Sequence, residues 1–231
     1  MSKHAEREYA NKVDQTHLFM KPFNDPRVFR EFSVVLEVFG ERVSGGHILD
    51  IGCGPGWTTS FLARAGYKAV GVDISERMVE IARQRGAREN LAVEFAVGDM
   101  EDLDLGCYDF DGALFFDCLH HCPAYQSALR RAHAHLRTGG YILLMETTWL
   151  HRYSPHARAV TREYGVTELG FTKRQLRRAL AEAGFCDISF YHDVGPGYRG
   201  IAGFLKGCLR LGCDFFFCYP QAKNIVVARK V

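Results

Sequence analysis

The stretch from His47 to Gly56 constrains the fold more than any other part of the chain. It reads His-Ile-Leu-Asp-Ile-Gly-Cys-Gly-Pro-Gly, so an apolar segment runs directly into glycines at three alternating positions. Glycine has no Cβ and accepts positive φ, so a buried strand here would end in a tight turn that a ligand can approach closely. The stretch therefore predicts a small, polar and partly anionic ligand at the end of a strand.

Length and charge narrow the class of protein. A chain of 231 residues is long enough to bury a sizeable core as one α/β domain. The net charge of +2, from 29 basic and 27 acidic residues, gives no cationic bias toward nucleic acid, and a small-molecule substrate fits better. The eight cysteines are scattered and no signal peptide precedes them, so we expect reduced thiols in a cytoplasmic protein. The sequence contains no run of eighteen uncharged apolar residues, so we expect no membrane-spanning helix.

Segments typical of strands and helices alternate along the chain. Apolar periodicity and capping residues predict strands at 48–51, 69–73, 91–97, 111–117, 141–146, 186–191 and 224–231. The same signals predict helices at 26–40, 58–65, 75–86, 123–137 and 172–183, the last two strands being separated by an insertion at 193–222. This alternation favours a parallel sheet with helices on both faces.

The glycine turn does not fit a dinucleotide fingerprint. That fingerprint needs a third glycine, but Trp57 or Thr59 stands there, depending on whether the count begins at Gly52 or Gly54. Asp50, two positions before the first glycine, would repel a pyrophosphate and hold a cationic amino group. The turn thus favours a nucleoside that carries an amino-acid group.

Three motifs together resemble the class I S-adenosylmethionine-dependent methyltransferases. They are Asp50 to Gly56, Asp73-Ile74-Ser75 after the second strand and Gly98-Asp99 after the third. The resemblance covers roughly residues 46–147 and implies a doubly wound, Rossmann-like sheet of seven mostly parallel strands, with the last strand antiparallel. It divides the single domain 1–231 into a helical cap (1–45), a cofactor-binding core (46–147) and an acceptor-side part (148–231). It also implies S-adenosyl-L-methionine as the cofactor and S-adenosyl-L-homocysteine as the product.

The resemblance gives each motif a role. Backbone N–H groups of the glycine turn are expected to face the methionyl carboxylate, Asp73 to bind the ribose hydroxyls, and Asp99 to bind the adenine amino group. Met100 is expected to supply a backbone N–H and an apolar wall to the adenine ring. The complete set of expected cofactor-binding residues is Asp50, Gly52, Cys53, Gly54, Gly56, Trp57, Asp73, Ile74, Asp99, Met100 and Asp117.

The chemical step depends on the segment directly after the fourth strand. Methyl transfer is an in-line displacement that is accelerated mainly by holding the acceptor against the methyl group in a dry cleft. An acceptor hydroxyl must also lose a proton, and a neutral imidazole suits that task. We therefore expect His120 or His121 to be the base, the alternative being that the pair caps the next helix. Paired histidines here also resemble many small-molecule members of the family.

The same segment bears on metal binding and on the acceptor. Cys118, His121 and Cys122 have a spacing that suggests zinc, but no second cysteine pair completes a tetrahedral site, so no metal is expected. The Asn- or Asp-Pro-Pro-aromatic motif and the Pro-Cys nucleophile of nucleic-acid methyltransferases are both absent, which favours a small or carbohydrate-like acceptor. Candidate acceptor-pocket residues are Tyr9, His17, Glu146, Trp149 and His151.

The expected activity is O-methylation of a sugar, a glycan-linked or a natural-product acceptor. Lys21-Pro22-Phe23 and the Gly-Pro-Gly-Trp turn are similar to methyltransferases encoded with such pathways. N- or C-methylation of a small metabolite, a nicotinamide-dependent oxidoreductase and a non-catalytic cofactor-binding protein stay open as alternatives. Residues 201–219 read as an amphipathic helix, either packed over the site or in contact with a lipid-linked acceptor or membrane surface. Oligomeric state is left open.

Overall fold

A computed structural model describes residues 3–43, 45–106, 109–191, 201, 205–209, 212 and 223–231. Its central strands are almost continuously buried, as expected for strands that are covered on both faces. They are β1 (His47–Ile51), β2 (Lys68–Asp73), β3 (Glu94–Val97), β4 (Phe110–Phe116), β5 (Leu136–Thr147), β6 (Phe185–Tyr191) and β7 (Lys223–Lys230).

The seven strands form one sheet in the order β3-β2-β1-β4-β5-β7-β6. Neighbours from β3 to β5 pair in parallel, whereas β7 runs antiparallel to both β5 and β6. The predicted doubly wound sheet with an antiparallel last strand is therefore confirmed. Strand order reverses between β1 and β4, and ligands of open α/β sheets bind at the carboxyl ends of the strands beside such a reversal.

Eight α-helices with defined bounds surround the sheet in the described residues. They are α1 (Lys3–Lys12), α2 (Gln15–Met20), α3 (Pro26–Arg42), α4 (Trp57–Arg64), α5 (Glu76–Arg88), α6 (Tyr125–His135), α7 (Pro155–Tyr164) and α8 (Lys173–Glu182). Their caps follow the sequence signals, since Asp25, Ser75 and Thr172 each accept a backbone N–H of the first turn.

The N-terminal segment is helical and folds over the sheet. α1 and α2 bury Ala10 and Leu18 against Met78 and Ile81 of α5. The Arg85 guanidinium, buried under α2, donates to the carbonyl oxygens of Leu18 and Phe19 at 2.8 and 3.1 Å. The N-terminal segment is therefore an ordered arm, and α1 and α2 contribute residues to the wall of a cavity.

Two element boundaries differ from the predictions by three residues or more. β3 begins at Glu94 rather than 91, and β5 begins at Leu136, where the sequence predicts the end of a helix and a break at Gly139-Gly140. A Cβ at Gly140 would lie 3.0 to 3.2 Å from carbonyl oxygens of three residues, including Phe110 and Asp111 of β4. This glycine permits close approach of two strands rather than ending a helix.

The insertion at 193–222 lies outside the described residues except for 201, 205–209 and 212. The predicted amphipathic helix and its contact with a lipid surface therefore stay predictions. Among the described residues, no helix has both the length and the apolar character needed to cross a bilayer.

Candidate active site

A cavity of about 520 Å³ opens at the carboxyl ends of the parallel strands, a size typical of small-molecule sites. α1 and α2 form one wall, and the turns after β1, β2, β3 and β4 form the others. Predicted site residues that line it are Tyr9, His17, Gly52, Cys53, Gly54, Trp57, Asp73, Ile74, Asp99, Met100, Asp117 and His121. Those that do not are Asp50, Gly56, His120, Glu146, Trp149 and His151.

The glycine turn has the predicted conformation, and its N–H groups have partners within the protein. Gly52, Gly54 and Gly56 all have positive φ, between 52° and 75°. Their N–H groups already donate within the protein: Gly52 to the Val72 carbonyl, Gly54 to Asp73 and Gly56 to the Cys53 carbonyl. These three N–H groups therefore hold the turn itself, and contact between the turn and the methionyl carboxylate stays a prediction.

The start of α4 is the alternative place for an anionic group. Gly56 is its N-cap residue and has no side chain to cap the first turn. Trp57 and Thr58, the first residues of the helix, line the cavity. A carboxylate at this end of the helix would be favoured by the helix dipole.

Asp50 is not among the residues that line the cavity, and its contact with the cofactor stays a prediction. Its Oδ2 accepts hydrogen bonds from the hydroxyls of Thr58 and Thr59 at 2.5 and 2.6 Å, and the side chain is buried. Burial raises the pKa of Asp50 to about 6, although the two threonine hydroxyls oppose this shift. Asp50 fixes the first turn of α4 to β1 from behind the glycine turn.

The buried Asp50 should make stability depend on pH. Because its folded pKa of about 6 exceeds its ordinary value of 3.8, the native state binds more protons between these values, and stability falls as pH rises through that window. We expect Asp50→Asn to lose less unfolding free energy than the wild type between about pH 4.5 and 6.5. Urea unfolding at several pH values measures this difference. The exposed Asp109→Asn serves as the control, and identical slopes for Asp50→Asn and wild type would contradict the prediction.

Asp73 lies where the sequence places it, at the end of β2 and in the cavity wall. Its Oδ2 accepts from the Gly54 N–H and its Oδ1 from the Ser75 N–H, both at 2.9 Å. Burial raises the pKa of this carboxyl, while the two N–H groups oppose the shift. One carboxylate thus joins the turn after β1 to the start of α5, and each oxygen keeps a lone pair for a ligand hydroxyl.

Asp99 lines the cavity beside Met100 but already has partners. Its Oδ2 forms an ion pair with Lys3 of α1, and its Oδ1 accepts the Glu101 N–H at 2.9 Å. Lys3 also pairs with Glu101 at 2.7 Å. The first turn of α1 therefore covers the expected adenine subsite, and the sequence motifs do not reveal this contact.

Asp117 directly follows β4 and has a strained conformation with φ of 53°. Its carboxylate pairs with Lys223, at the start of β7. Burial raises the pKa of Asp117, but Lys223 and His120 outweigh burial, so the pKa lies below its usual range. This ion pair fixes the turn that carries the two histidines.

The two histidines occupy different environments. His121 lines the cavity and its Nδ1 lies 3.0 Å from the Thr167 carbonyl oxygen, whereas His120 is buried behind it with Nδ1 2.9 Å from Glu146 Oε2. Burial lowers the pKa of His121 to about 4, and His120 adds to the shift. Burial also lowers the pKa of His120, but Glu146 and neighbouring acids outweigh it and raise the pKa above its ordinary value.

Three predicted acceptor residues do not reach the cavity. Glu146 is completely buried and accepts the backbone N–H groups that follow β4. Trp149 packs against Tyr153 near the surface, and His151 Nε2 donates to Glu168 Oε2 at 2.6 Å. Their position at or just after the end of β5 suggested the acceptor pocket, but Thr148, directly after β5, pairs with Phe171 in the segment before α8.

Sequence reasoning missed two carboxylates, Glu6 and Glu168. Glu6, on α1, lines the cavity, accepts the Thr167 N–H at 2.9 Å and lies 3.7 Å from His121 Nδ1. Burial raises the pKa of Glu6 to about 7, against the effect of the Thr167 N–H. Glu168 lies 3.8 Å from both His120 and His121. No local motif marks either residue, because their partners are distant in sequence.

The cysteines next to the histidines have other partners. Cys118 Sγ donates to the Ile51 carbonyl at 3.0 Å, and Cys122 Sγ donates to Glu101 at 3.3 Å. The structure therefore does not assemble the Cys118, His121 and Cys122 set that suggested zinc. Within the described part of the chain, five cysteines are free thiols.

Comparison with known proteins agrees with this geometry. Residues 48–140 match a family described as a methyltransferase domain. An uncharacterized 37.1 kDa protein in transposon TN4556 of Streptomyces fradiae is 36% identical over 66% of this chain and 47% of its own length. The ubiquinone biosynthesis O-methyltransferase of Coxiella burnetii is 31% identical over 42% of each protein. The chain thus spans less than half the length of these two relatives.

A solved structure extends the likeness to nearly the whole chain. Phosphoethanolamine N-methyltransferase 2 of Haemonchus contortus, solved with S-adenosyl-L-methionine, superposes with a TM-score of 0.72 at 18% identity, over 97% of this chain and 59% of the other. At that identity the likeness shows the fold alone. Sheet order and cavity position together define a doubly wound α/β protein with a ligand-sized cavity at the carboxyl ends of its strands. More narrowly, residues 48–140 are similar to a methyltransferase domain.

Proposed function

We propose that the protein transfers a methyl group from S-adenosylmethionine to an oxygen atom of a small molecule. The observation that carries the proposal is Asp73, whose carboxylate lines the cavity while bound to both the glycine turn and the start of α5. A rigid carboxylate at this place can accept both ribose hydroxyls, which a single hydroxyl or amide could not match.

With the ribose bound to Asp73, the places of the other parts of the cofactor would follow. The methionyl carboxylate would lie at the start of α4, beside Trp57, rather than on the glycine N–H groups. The adenine ring would lie against Ile74 and Met100, and its amino group would share Asp99 with Lys3. Part of the cavity beyond these residues is lined by Tyr9, His17 and His121, which suit hydroxyl groups of an acceptor.

A hydroxylated acceptor is supported by chemistry and by one relative. The described acceptor side of the cavity offers imidazole, phenol and carboxyl groups, and the Coxiella burnetii relative is named as an O-methyltransferase. We retain a sugar, a glycan-linked or a natural-product hydroxyl as the proposed acceptor class. Removal of its proton by His120 or His121 also stays a prediction, and only His121 borders the cavity.

Calorimetry and a transfer assay test the proposal separately. S-adenosylhomocysteine should bind at one site per chain and NADH should not bind, and binding of NADH alone would overturn the cofactor assignment. Methyl transfer from labelled S-adenosylmethionine is then measured with catechol, methyl glucoside and phosphoethanolamine. We expect label on a hydroxyl compound, whereas label only on the amine would contradict the oxygen acceptor.

A further inference from the structure

Two histidines and a carboxylate converge beside the cavity, and the cofactor does not account for them. Suitable ligand atoms of His120, His121 and Glu168 all lie within 4.8 Å of one another. Glu168 is 3.8 Å from His120 Nε2 through one oxygen and 3.8 Å from His121 Nδ1 through the other. Ligands that share a first-row metal ion at about 2.1 Å are about 3 to 3.5 Å apart, so small side-chain movements would complete the set.

The groups behind this cluster have the arrangement that supports metal ligands. Metal-binding histidines usually donate their second ring N–H to a carboxylate, and metal-binding carboxylates are themselves hydrogen-bonded. His120 Nδ1 lies 2.9 Å from Glu146, which leaves the Nε2 lone pair on the side of Glu168. Glu168 in turn is held by His151 at 2.6 Å. Three side chains are thus oriented around one point.

The point is also accessible from the cavity. The side chains of His120 and Glu168 are each 6% exposed, whereas that of His121 is 31% exposed and lines the cavity. Glu6, also in the cavity wall, has Oε2 at 3.7 Å from His121 Nδ1 and could supply a further oxygen. An ion here would keep open positions on the side where an acceptor hydroxyl could bind.

We propose that His120, His121 and Glu168 bind one divalent transition-metal ion, with Glu6 as an additional oxygen ligand. Two imidazoles and a carboxylate favour zinc, cobalt, iron or manganese over calcium and magnesium, which prefer all-oxygen sites. Coordination through His121 Nδ1 replaces its hydrogen bond to the Thr167 carbonyl and moves the ring proton to Nε2. The histidine pair then acts through an ion rather than as a base, and the ion site does not depend on which acceptor is methylated.

Calorimetric titration of chelator-treated, tag-free protein with Zn²⁺ tests the proposal, with Mg²⁺ as the comparison ion. We expect one Zn²⁺ per chain, and visible absorption bands of a nitrogen- and oxygen-ligated ion when Co²⁺ is used instead. Glu168→Gln and His121→Gln should each weaken Zn²⁺ binding by at least about 10- to 100-fold. Glu163→Gln and His156→Gln, on the exposed side of α7, are matched controls that should bind like the wild type. Equal Zn²⁺ binding by all variants, or no stoichiometric Zn²⁺ binding, would overturn the proposal. The prediction that His120 or His121 is a base would then stand alone.

A second measurement needs no variant, in case a substitution prevents folding. Substoichiometric Mn²⁺ should broaden the ring signals of His120 and His121 in the NMR spectrum of the wild type, before those of the exposed His4 and His156. Broadening of the exposed histidines alone would overturn the proposal. Binding of S-adenosylhomocysteine, measured on the same samples, reports on the proposed methyltransferase function independently of the ion.

Discussion

Asp73→Asn should weaken the binding of S-adenosylhomocysteine by about 100-fold. Each oxygen of Asp73 accepts one backbone N–H, from Gly54 and from Ser75. An asparagine amide keeps one acceptor and turns an NH₂ group toward the other N–H, so the glycine turn or the start of α5 must move. A hydrogen bond to a charged group contributes about 1.5 to 3 kcal/mol, which is about 10- to 100-fold in affinity, and both the turn and a ribose contact are affected.

Isothermal titration calorimetry measures this loss directly, without an acceptor. Asp109→Asn is the matched control, because Asp109 is exposed ahead of β4, outside the residues that line the cavity, and its substitution should leave affinity unchanged. Circular dichroism should show the same helix and strand content in both variants. An Asp73→Asn protein that is folded and binds S-adenosylhomocysteine like the wild type would remove the basis of the proposed cofactor position.

The sheet and most helices could be predicted from the sequence because their signals are local. Apolar strands that alternate with capped helices specify a parallel sheet, and the carboxyl ends of its strands bring Asp73 and Asp99 to one cavity. The start of β5 could not be predicted in this way. Gly139-Gly140 has the local appearance of a helix break, but Leu136 pairs with Phe110 of β4, so a tertiary contact decides the boundary.

The position of the candidate site could be predicted from the sequence, but the directions of its side chains could not. Motifs identify which turns border the cavity, but side-chain direction depends on neighbours that the motifs do not contain. Asp50 Oδ2 accepts the hydroxyls of Thr58 and Thr59, for example, because the glycine turn folds the first turn of α4 back onto β1. Glu6 contacts Thr167 across 161 positions of sequence, so no local pattern could join α1 to the histidine pair.

Glu146→Ala should be the most destabilising substitution near the site. Glu146 Oε1 accepts the N–H groups of Cys118 and Leu119 at 2.8 and 2.7 Å, and Oε2 accepts the His120 N–H at 3.3 Å and contacts its Nδ1 at 2.9 Å. The side chain is 0% exposed, so water cannot replace it without opening the core. Removing one partner of such a buried charged network costs about 3 to 5 kcal/mol, and urea unfolding at constant pH measures the loss.

Glu146→Gln separates the structural role of this residue from its effect on the histidine. The amide oxygen can still accept hydrogen bonds from the N–H groups of Cys118 and Leu119, while the amide NH₂ faces His120. His120 can then accept through Nδ1, which places its proton on Nε2 and removes the lone pair on the side of Glu168. We expect a smaller loss of stability, about 1 to 3 kcal/mol for the backbone N–H of His120 that lacks an acceptor, together with weaker Zn²⁺ binding. The exposed Glu41→Gln and Glu41→Ala should change neither property, and wild-type stability of Glu146→Ala would show that the carboxylate does not organise this turn.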